Sequence, residues 1–117
     1  MLNQVVFVGR LTKDPEIIES EDGKKRARII IAVNRGFKNI DGVYETDFIP
    51  CTLWNAIAEN TCEYCKKGDI IGVKGRIQTS NYENEEGEKI YTTEVIAEKI
   101  TFLSSSKSKE QDNKNEM

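Results

Sequence analysis

The chain has 117 residues, 38% hydrophobic and 32% charged, with a net charge of −3. This size is typical of a single small domain, and the absence of histidine excludes Ser-His-Asp or Cys-His nucleophile systems and His-containing zinc sites. Since no apolar run approaches the roughly 20 residues of a membrane span and no secretory signal begins the chain, we expect a cytoplasmic protein without membrane association.

Short strand patterns and polar turns follow one another along most of the chain. The predicted strands are rich in β-branched and apolar residues and occupy five segments: 3–11, 28–34, 45–54, 70–79 and 90–103. One helix is predicted over residues 55–67, with Asn55 as its N-cap and with Gly68 ending it after Lys66 and Lys67. Polar loops are predicted at 36–43 and 82–89.

The order of three strands, one helix and two strands favours an all-β fold with one short helix, the five-stranded Greek-key OB barrel. Gly72 and Gly75 within the fourth strand suit the bends that barrel closure requires. Pattern alone leaves other small barrels open. Residues 1–103 are predicted to form this domain, and the polar residues 104–117 are predicted to be a disordered tail.

Aromatic residues stand at unusual positions in the predicted strands. Because side chains alternate between faces, Ile49, Cys51 and Leu53 point toward the core, whereas Phe48 and Trp54 point outward. In the fourth strand the outward parity is shared by three residues: Lys74, Arg76 and Tyr82. From pattern alone, each ring fits a core or a subunit interface as well as a binding surface.

Rings that share a face with cations are what a single strand of DNA needs. Unpaired bases stack on aromatic rings at roughly 1–3 kcal/mol each, and phosphates need Lys and Arg. Phe37 also fits this pattern, since it lies between Arg35 and Lys38. The acidic balance counts against nucleic-acid binding, so the prediction requires the basic residues to cluster locally.

Several longer segments carry a family resemblance. They are Asn3 to Glu16, Ile31 to Arg35, Phe48 to Trp54, Gly75 to Thr79, and Tyr91 to Val95. With these segments the chain resembles the bacterial single-stranded DNA-binding protein family over residues 1 to about 103. The resemblance implies an OB fold, usually a homotetramer, that binds single-stranded DNA in replication, recombination, repair or DNA uptake, and is nucleoid-associated.

The resemblance also implies site residues. The family's stacking positions fall on Phe37, Phe48, Trp54 and Tyr82, and the expected DNA-binding set adds five cations: Arg10, Arg35, Lys38, Lys74 and Arg76. Val6 and Val8 would belong to a subunit interface. Ser80 and Asn81 depart from the pattern, because many members have basic residues there. The end of the chain lacks the family's acidic tip, as in short paralogues, so we do not expect it to recruit proteins through a tail.

Two other functions remain open. The first is an enzyme. Cys62 and Cys65 have the C-x-x-C spacing of redox or metal sites, but the four donors of a closed zinc site are not apparent. Glu45, Asp47 or Glu94 could bind the metal of a nuclease, but no convergent carboxylate cluster is apparent. We therefore expect no enzyme activity, no metal and no cofactor. The other alternative is an OB module that binds only proteins, since a fold does not fix a function.

Overall fold

Six strands and one helix make up residues 1–104, the part of the chain that the computed structural model describes. The predicted tail beyond residue 104 lies outside the described residues. The elements are β1 Val5–Leu11, β2 Ile17–Glu19, β3 Lys25–Lys38, β4 Tyr44–Trp54, α1 Asn55–Tyr64, β5 Ile70–Glu83 and β6 Lys89–Ser104. Five strands correspond to predicted ones, whereas β2 was not predicted, because three residues are too few to show an alternating pattern.

The sheet closes on itself. Its strand order is β1-β5-β6-β4-β3-β2, and β1 also pairs with β3 through Arg10 opposite Ala32 and Leu11 opposite Ile31. β4 and β6 run parallel, whereas the other pairs are antiparallel. The result is a closed five-stranded barrel with one helix, which confirms the predicted OB-type fold, and β2 is added outside the ring on β3.

Alternate residues of the strands fill the barrel. Cys51 and Leu53 are fully buried and Ile49 packs at the edge of the same core, as their shared parity predicted. The other core members include Leu11, Ala27, Ile29, Ile31, Ile71, Val73 and Ala97. Helix α1 adds the buried Ala58 to this core. No helix of residues 1–104 is long and apolar enough to span a membrane.

Gly75 stands where two backbones approach closely. A Cβ at this position would lie 2.2 Å from the carbonyl oxygen of Ile96, and the register of β5 against β6 shifts between Lys74 and Gly75. The irregularity predicted at this glycine is therefore confirmed, since only a residue without a side chain allows β6 to pass.

The strands extend a few residues into the two predicted loops. β3 continues to Lys38 and β5 to Glu83, so two-stranded arms extend from the barrel and only short turns remain at 39–43 and 84–88. Asn39 and Asn84 fix these turns, because each side-chain oxygen accepts two backbone N–H bonds at 2.9–3.0 Å. Both turns lie within the predicted loops, whose bounds were too wide because the outer residues of the arms show no regular alternation of apolar and polar side chains.

The helix begins at Asn55 as predicted, but its N-cap and its C-terminal end differ from the prediction. Its N-cap is Trp54 without a side-chain bond, and the side-chain oxygen of Asn55 instead accepts the backbone N–H of Lys25 at 3.2 Å. The helix ends at Tyr64, and Lys66 begins a turn in which its N–H donates to Asp69 at 2.9 Å. The predicted cap and the predicted C-terminal end were wrong because distant or following residues compete for the terminal groups.

Candidate nucleic-acid interface

The outer face of β4 carries the first two predicted rings. Phe48 is 64% exposed and Trp54 is 39% exposed, as their parity predicted. Thr52 lies between them but is buried, and its hydroxyl donates to the carboxylate of Glu94 on β6. The two rings are thus separate platforms on one face.

The other two predicted rings lie on the arms. Phe37 is near the end of β3 and Tyr82 near the end of β5, and both are exposed. Lys38 pairs with Tyr44 across the first arm, and its ammonium nitrogen lies 5.6 Å from the Tyr44 ring centroid. Tyr44 was not predicted, although it has the same parity on β4 as the two exposed rings.

Arg10 lies in one cross-strand row with Phe48. Arg10 is opposite Ala32, and Ala32 is opposite Phe48, so the three side chains share the outer face of adjacent strands. Strand spacing places the ends of this row roughly 10 Å apart. The Arg10 guanidinium donates to the carbonyl of Gly68 at 2.8 Å, and this hydrogen bond fixes the position of the Arg10 side chain on the surface.

The two predicted cations of β5 have different surroundings. Arg76 is opposite Ile96 and donates to the side-chain oxygen of Gln78 at 2.9 Å. Lys74 is opposite Val6 on one side and Lys99 on the other. Its parity is as predicted, but its cross-strand neighbours belong to the outer face of β1, β5 and β6 and include none of the four rings.

Arg35 is already engaged by acids. Its guanidinium pairs with Asp47 at 2.9 Å and also with Glu45, both on β4. These contacts raise the pKa of Arg35, and the hydrogen bond from Arg35 lowers the pKa of Asp47. The positive charge of Arg35 is therefore compensated, which the sequence did not reveal because the pairing depends on the β3–β4 register.

Comparison with known proteins decides the family. The sequence model of the family described as "Single-strand binding protein family" matches residues 2–103. The chain belongs to this family. Single-stranded DNA-binding protein B of Bacillus subtilis is 53% identical over 103 residues, which cover 88% of this chain and 91% of that protein. Single-stranded DNA-binding protein 1 of Lactococcus lactis is 49% identical over 111 residues, or 95% of this chain and 74% of that protein.

These names describe binding proteins. A further relative, single-stranded DNA-binding protein 3 of Streptococcus agalactiae, is 48% identical over 113 residues, covering 97% of this chain and 82% of that protein. The family description and the names of the relatives denote binding and no catalysis. This agrees with the expectation that the chain is not an enzyme.

In this member of the single-strand binding protein family, two cations were missed by the sequence reasoning. Arg26 is opposite Trp54 and Arg28 is opposite Thr52, and both arginines are exposed. The guanidinium carbon of Arg26 lies 6.0 Å from the centroid of the Trp54 ring. The alternation of Arg26 and Arg28 with the buried Ala27 and Ile29 was a signal that could have identified them.

The cysteines have no features of reactive thiols. All three are free, and burial raises the pKa of Cys51 to about 12. Burial also raises the pKa of Cys65 to about 11, with smaller contributions from Asp69 and Cys62. Nucleophilic or redox cysteines require a lowered pKa, so this C-x-x-C pair lacks the electrostatics of such a site. Across residues 1–104, no group of three or more potential metal-ligating side chains occurs.

Proposed function

We propose that this protein binds single-stranded DNA without sequence preference and protects it during replication, recombination, repair or DNA uptake, in the cytoplasm on nucleoid DNA. The observation that supports this most is the exposure of Phe48 and Trp54 on one face of β4. Trp54 lies beside Arg26, and Phe48 lies in a row with Arg10. Large exposed rings cost solvation free energy unless a ligand covers them. The relatives named above are called single-stranded DNA-binding proteins.

The binding surface is proposed to combine stacking with charge. Bases stack on four rings, Phe37, Phe48, Trp54 and Tyr82, which are the predicted positions. Phosphates contact the predicted cations Arg10, Lys38, Arg76 and, after it exchanges its carboxylate partners, Arg35. Lys74 is opposite Val6 and Lys99, so it is proposed to contact a phosphate of the strand away from the rings, at the border of the β1 face. Every base has a flat π face, and every nucleotide has a phosphate, so this combination is independent of sequence.

The net charge of −3 is compatible with this proposal because cations lie next to the rings: Arg26 is beside Trp54, and Arg10 shares a row with Phe48. Of the nearby acids, Glu45 and Asp47 share the single positive charge of Arg35, and Glu94 accepts the hydroxyl hydrogen of Thr52 but keeps its charge. DNA responds to the local field rather than to the total charge, and exposed charges act over about 8 Å at physiological salt.

We also propose that the protein is a homotetramer that uses the outer face of β1. Val6 is 68% exposed and Val8 is 52% exposed, although both are apolar strand residues. A Cβ at Gly72 would lie 3.8 Å from Val8 and also 3.8 Å from Leu103, so apolar groups of β1 and β6 border one strip. A mass measurement by sedimentation tests this: we expect four chains, and fewer than four in a Val8→Lys variant.

DNA binding is tested by fluorescence anisotropy with a labelled oligo(dT). We expect binding that weakens steeply with salt, and competition by unlabelled single strands of any sequence but only weak competition by duplex. Equal competition by duplex would contradict stacking as the mechanism. An absence of binding at low salt would leave the protein-binding OB module as the better explanation.

A further inference from the structure

The hairpin formed by β2 and β3 encloses a groove beside Trp54. This hairpin groove has a volume of about 280 Å³ and is lined by Ile18, Ser20, Asp22, Lys24, Arg26 and Trp54. We propose that the hairpin completes the nucleotide subsite at Trp54, so that the base on this ring also packs against Ile18 while its phosphate binds Arg26 and Lys24. This inference rests on the proposed function, and extends it to a hairpin for which the sequence predicted no role.

Register places the walls of the groove in one row. Ile18 on β2 is opposite Arg26 on β3, and Arg26 is opposite Trp54 on β4, so all three side chains project to the same face. Ile18 and Trp54 are thus roughly two strand spacings, or 10 Å, apart, with Arg26 between them. An apolar wall, a cation and an aromatic wall are what a base and its phosphate require.

Ile18 is not explained by the barrel core. It is 56% exposed, whereas the inward residues of β3 next to it are fully buried. β2 lies outside the closed ring of five strands. Its apolar side chain faces the groove, where a base would remove it from water.

The cations of the groove are available for a phosphate. Within residues 1–104, neither Lys24 nor Arg26 forms an ion pair, whereas Lys25, between them in the chain, is paired with Glu59. Asp22 is the acid of the groove, and its carboxylate is occupied by the turn, accepting the Ser20 hydroxyl and the Lys24 N–H. Lys24 and Arg26 together with Asp22 give the groove a net positive charge.

The groove is held open by contacts at its base. The backbone N–H of Lys25 donates to the side chain of Asn55 at 3.2 Å, immediately after Trp54 in the chain. The ion pair of Lys25 with Glu59 joins the same strand to helix α1. These two contacts connect the hairpin to the residue after Trp54 and to helix α1, and a base that enters the groove displaces the Arg26 guanidinium, which lies 6.0 Å from the centroid of the Trp54 ring.

The test compares four variants of the full chain by anisotropy with labelled oligo(dT) over a range of salt concentrations. For Arg26→Gln we expect about 3- to 10-fold weaker binding at low salt and a salt slope reduced by about 0.7, the value for one phosphate contact to a single strand. Arg26→Lys should keep the slope. Ile18→Ala should weaken binding by about 2- to 5-fold without changing the slope, since it removes packing alone. Lys13→Gln removes an exposed cation outside the groove and should change binding less than Arg26→Gln does.

The outcomes separate the two proposals. If the unmodified protein binds but Arg26→Gln and Ile18→Ala bind equally well, the subsite is overturned and the proposed function stands. If the unmodified protein does not bind oligo(dT), both fail. Ultraviolet cross-linking of the unmodified protein to oligo(dT), followed by peptide mapping, needs no variant: cross-links to the segment 17–26 support the subsite, and cross-links confined to other segments overturn it.

Discussion

Asp47 holds the guanidinium of Arg35, which donates from Nη2 to Oδ1 at 2.9 Å and from Nε to both carboxylate oxygens at 3.2 Å. Glu45 accepts a further bond from the same guanidinium. Two carboxylates thus face one cation at the base of the arm that carries Phe37. Any phosphate that binds Arg35 must compete with them.

Replacing Asp47 by Asn should strengthen binding to oligo(dT). The substitution removes a negative charge from the interface and releases Arg35 toward phosphate, so the salt slope should steepen by up to about 0.7. Anisotropy titrations at several salt concentrations measure both quantities. In the double variant Arg35→Gln, Asp47→Asn, the steeper slope should be lost; if it persists, Arg35 is not the cation that was released.

Replacing Arg35 by Gln should raise the pKa of Asp47 toward its ordinary value. In the folded protein the hydrogen bond from Arg35 lowers this pKa. A lowered pKa contributes stability above the ordinary carboxyl pKa, and this contribution is lost as the pH falls through the lower folded value. Carboxyl carbon shifts followed by NMR during an acid titration measure the change, and an unaltered Asp47 titration would refute the coupling.

Replacing Trp54 or Phe48 by Ala should weaken binding about 5- to 150-fold, which corresponds to the roughly 1–3 kcal/mol of one stacked base. The loss should be similar for oligo(dT) and for mixed sequences, because stacking does not read base identity. Tyr64→Ala is the matched control: Tyr64 is also an exposed aromatic, but its ring packs against Phe102 at 5.9 Å between centroids. A loss restricted to one sequence, or an equal loss in the control, would contradict the stacking mechanism.

Replacing Gly75 by Ala should destabilise the fold. The new methyl group would lie 2.2 Å from the Ile96 carbonyl oxygen, so β6 must move, at a cost of about 1–3 kcal/mol. In a thermal melt this lowers Tm by roughly 4 °C or more. Gly36→Ala is the control, because a Cβ there meets no atom within 4 Å. Equal melting temperatures for the two variants would show that the close approach at Gly75 is not limiting.

Strand alternation explains what the sequence could predict. The inward positions of Cys51 and Leu53 and the outward positions of Phe48 and Trp54 follow from neighbours on a single strand, so a local pattern was sufficient. The closed barrel followed from the order of elements, and the exposed Val6 and Val8 agree with the second apolar face of β1.

Contacts between strands explain what the sequence could not predict. Arg26 lies beside Trp54, and Arg35 is paired with Asp47, only because β3 and β4 meet in one particular register. Asn55 was expected to cap the helix, but its side-chain oxygen accepts a hydrogen bond from the N–H of Lys25, 30 residues earlier. The outer ends of the arm strands were not predicted because the barrel buries neither of their faces.

The most direct test of the central claim uses the fluorescence of Trp54, the single tryptophan of the chain, during titration with oligo(dT). Base stacking on this ring predicts saturable quenching at low salt that added salt reverses. An emission that stays constant at low salt, together with no gel shift of the oligonucleotide, would contradict the proposal that this surface binds single-stranded DNA.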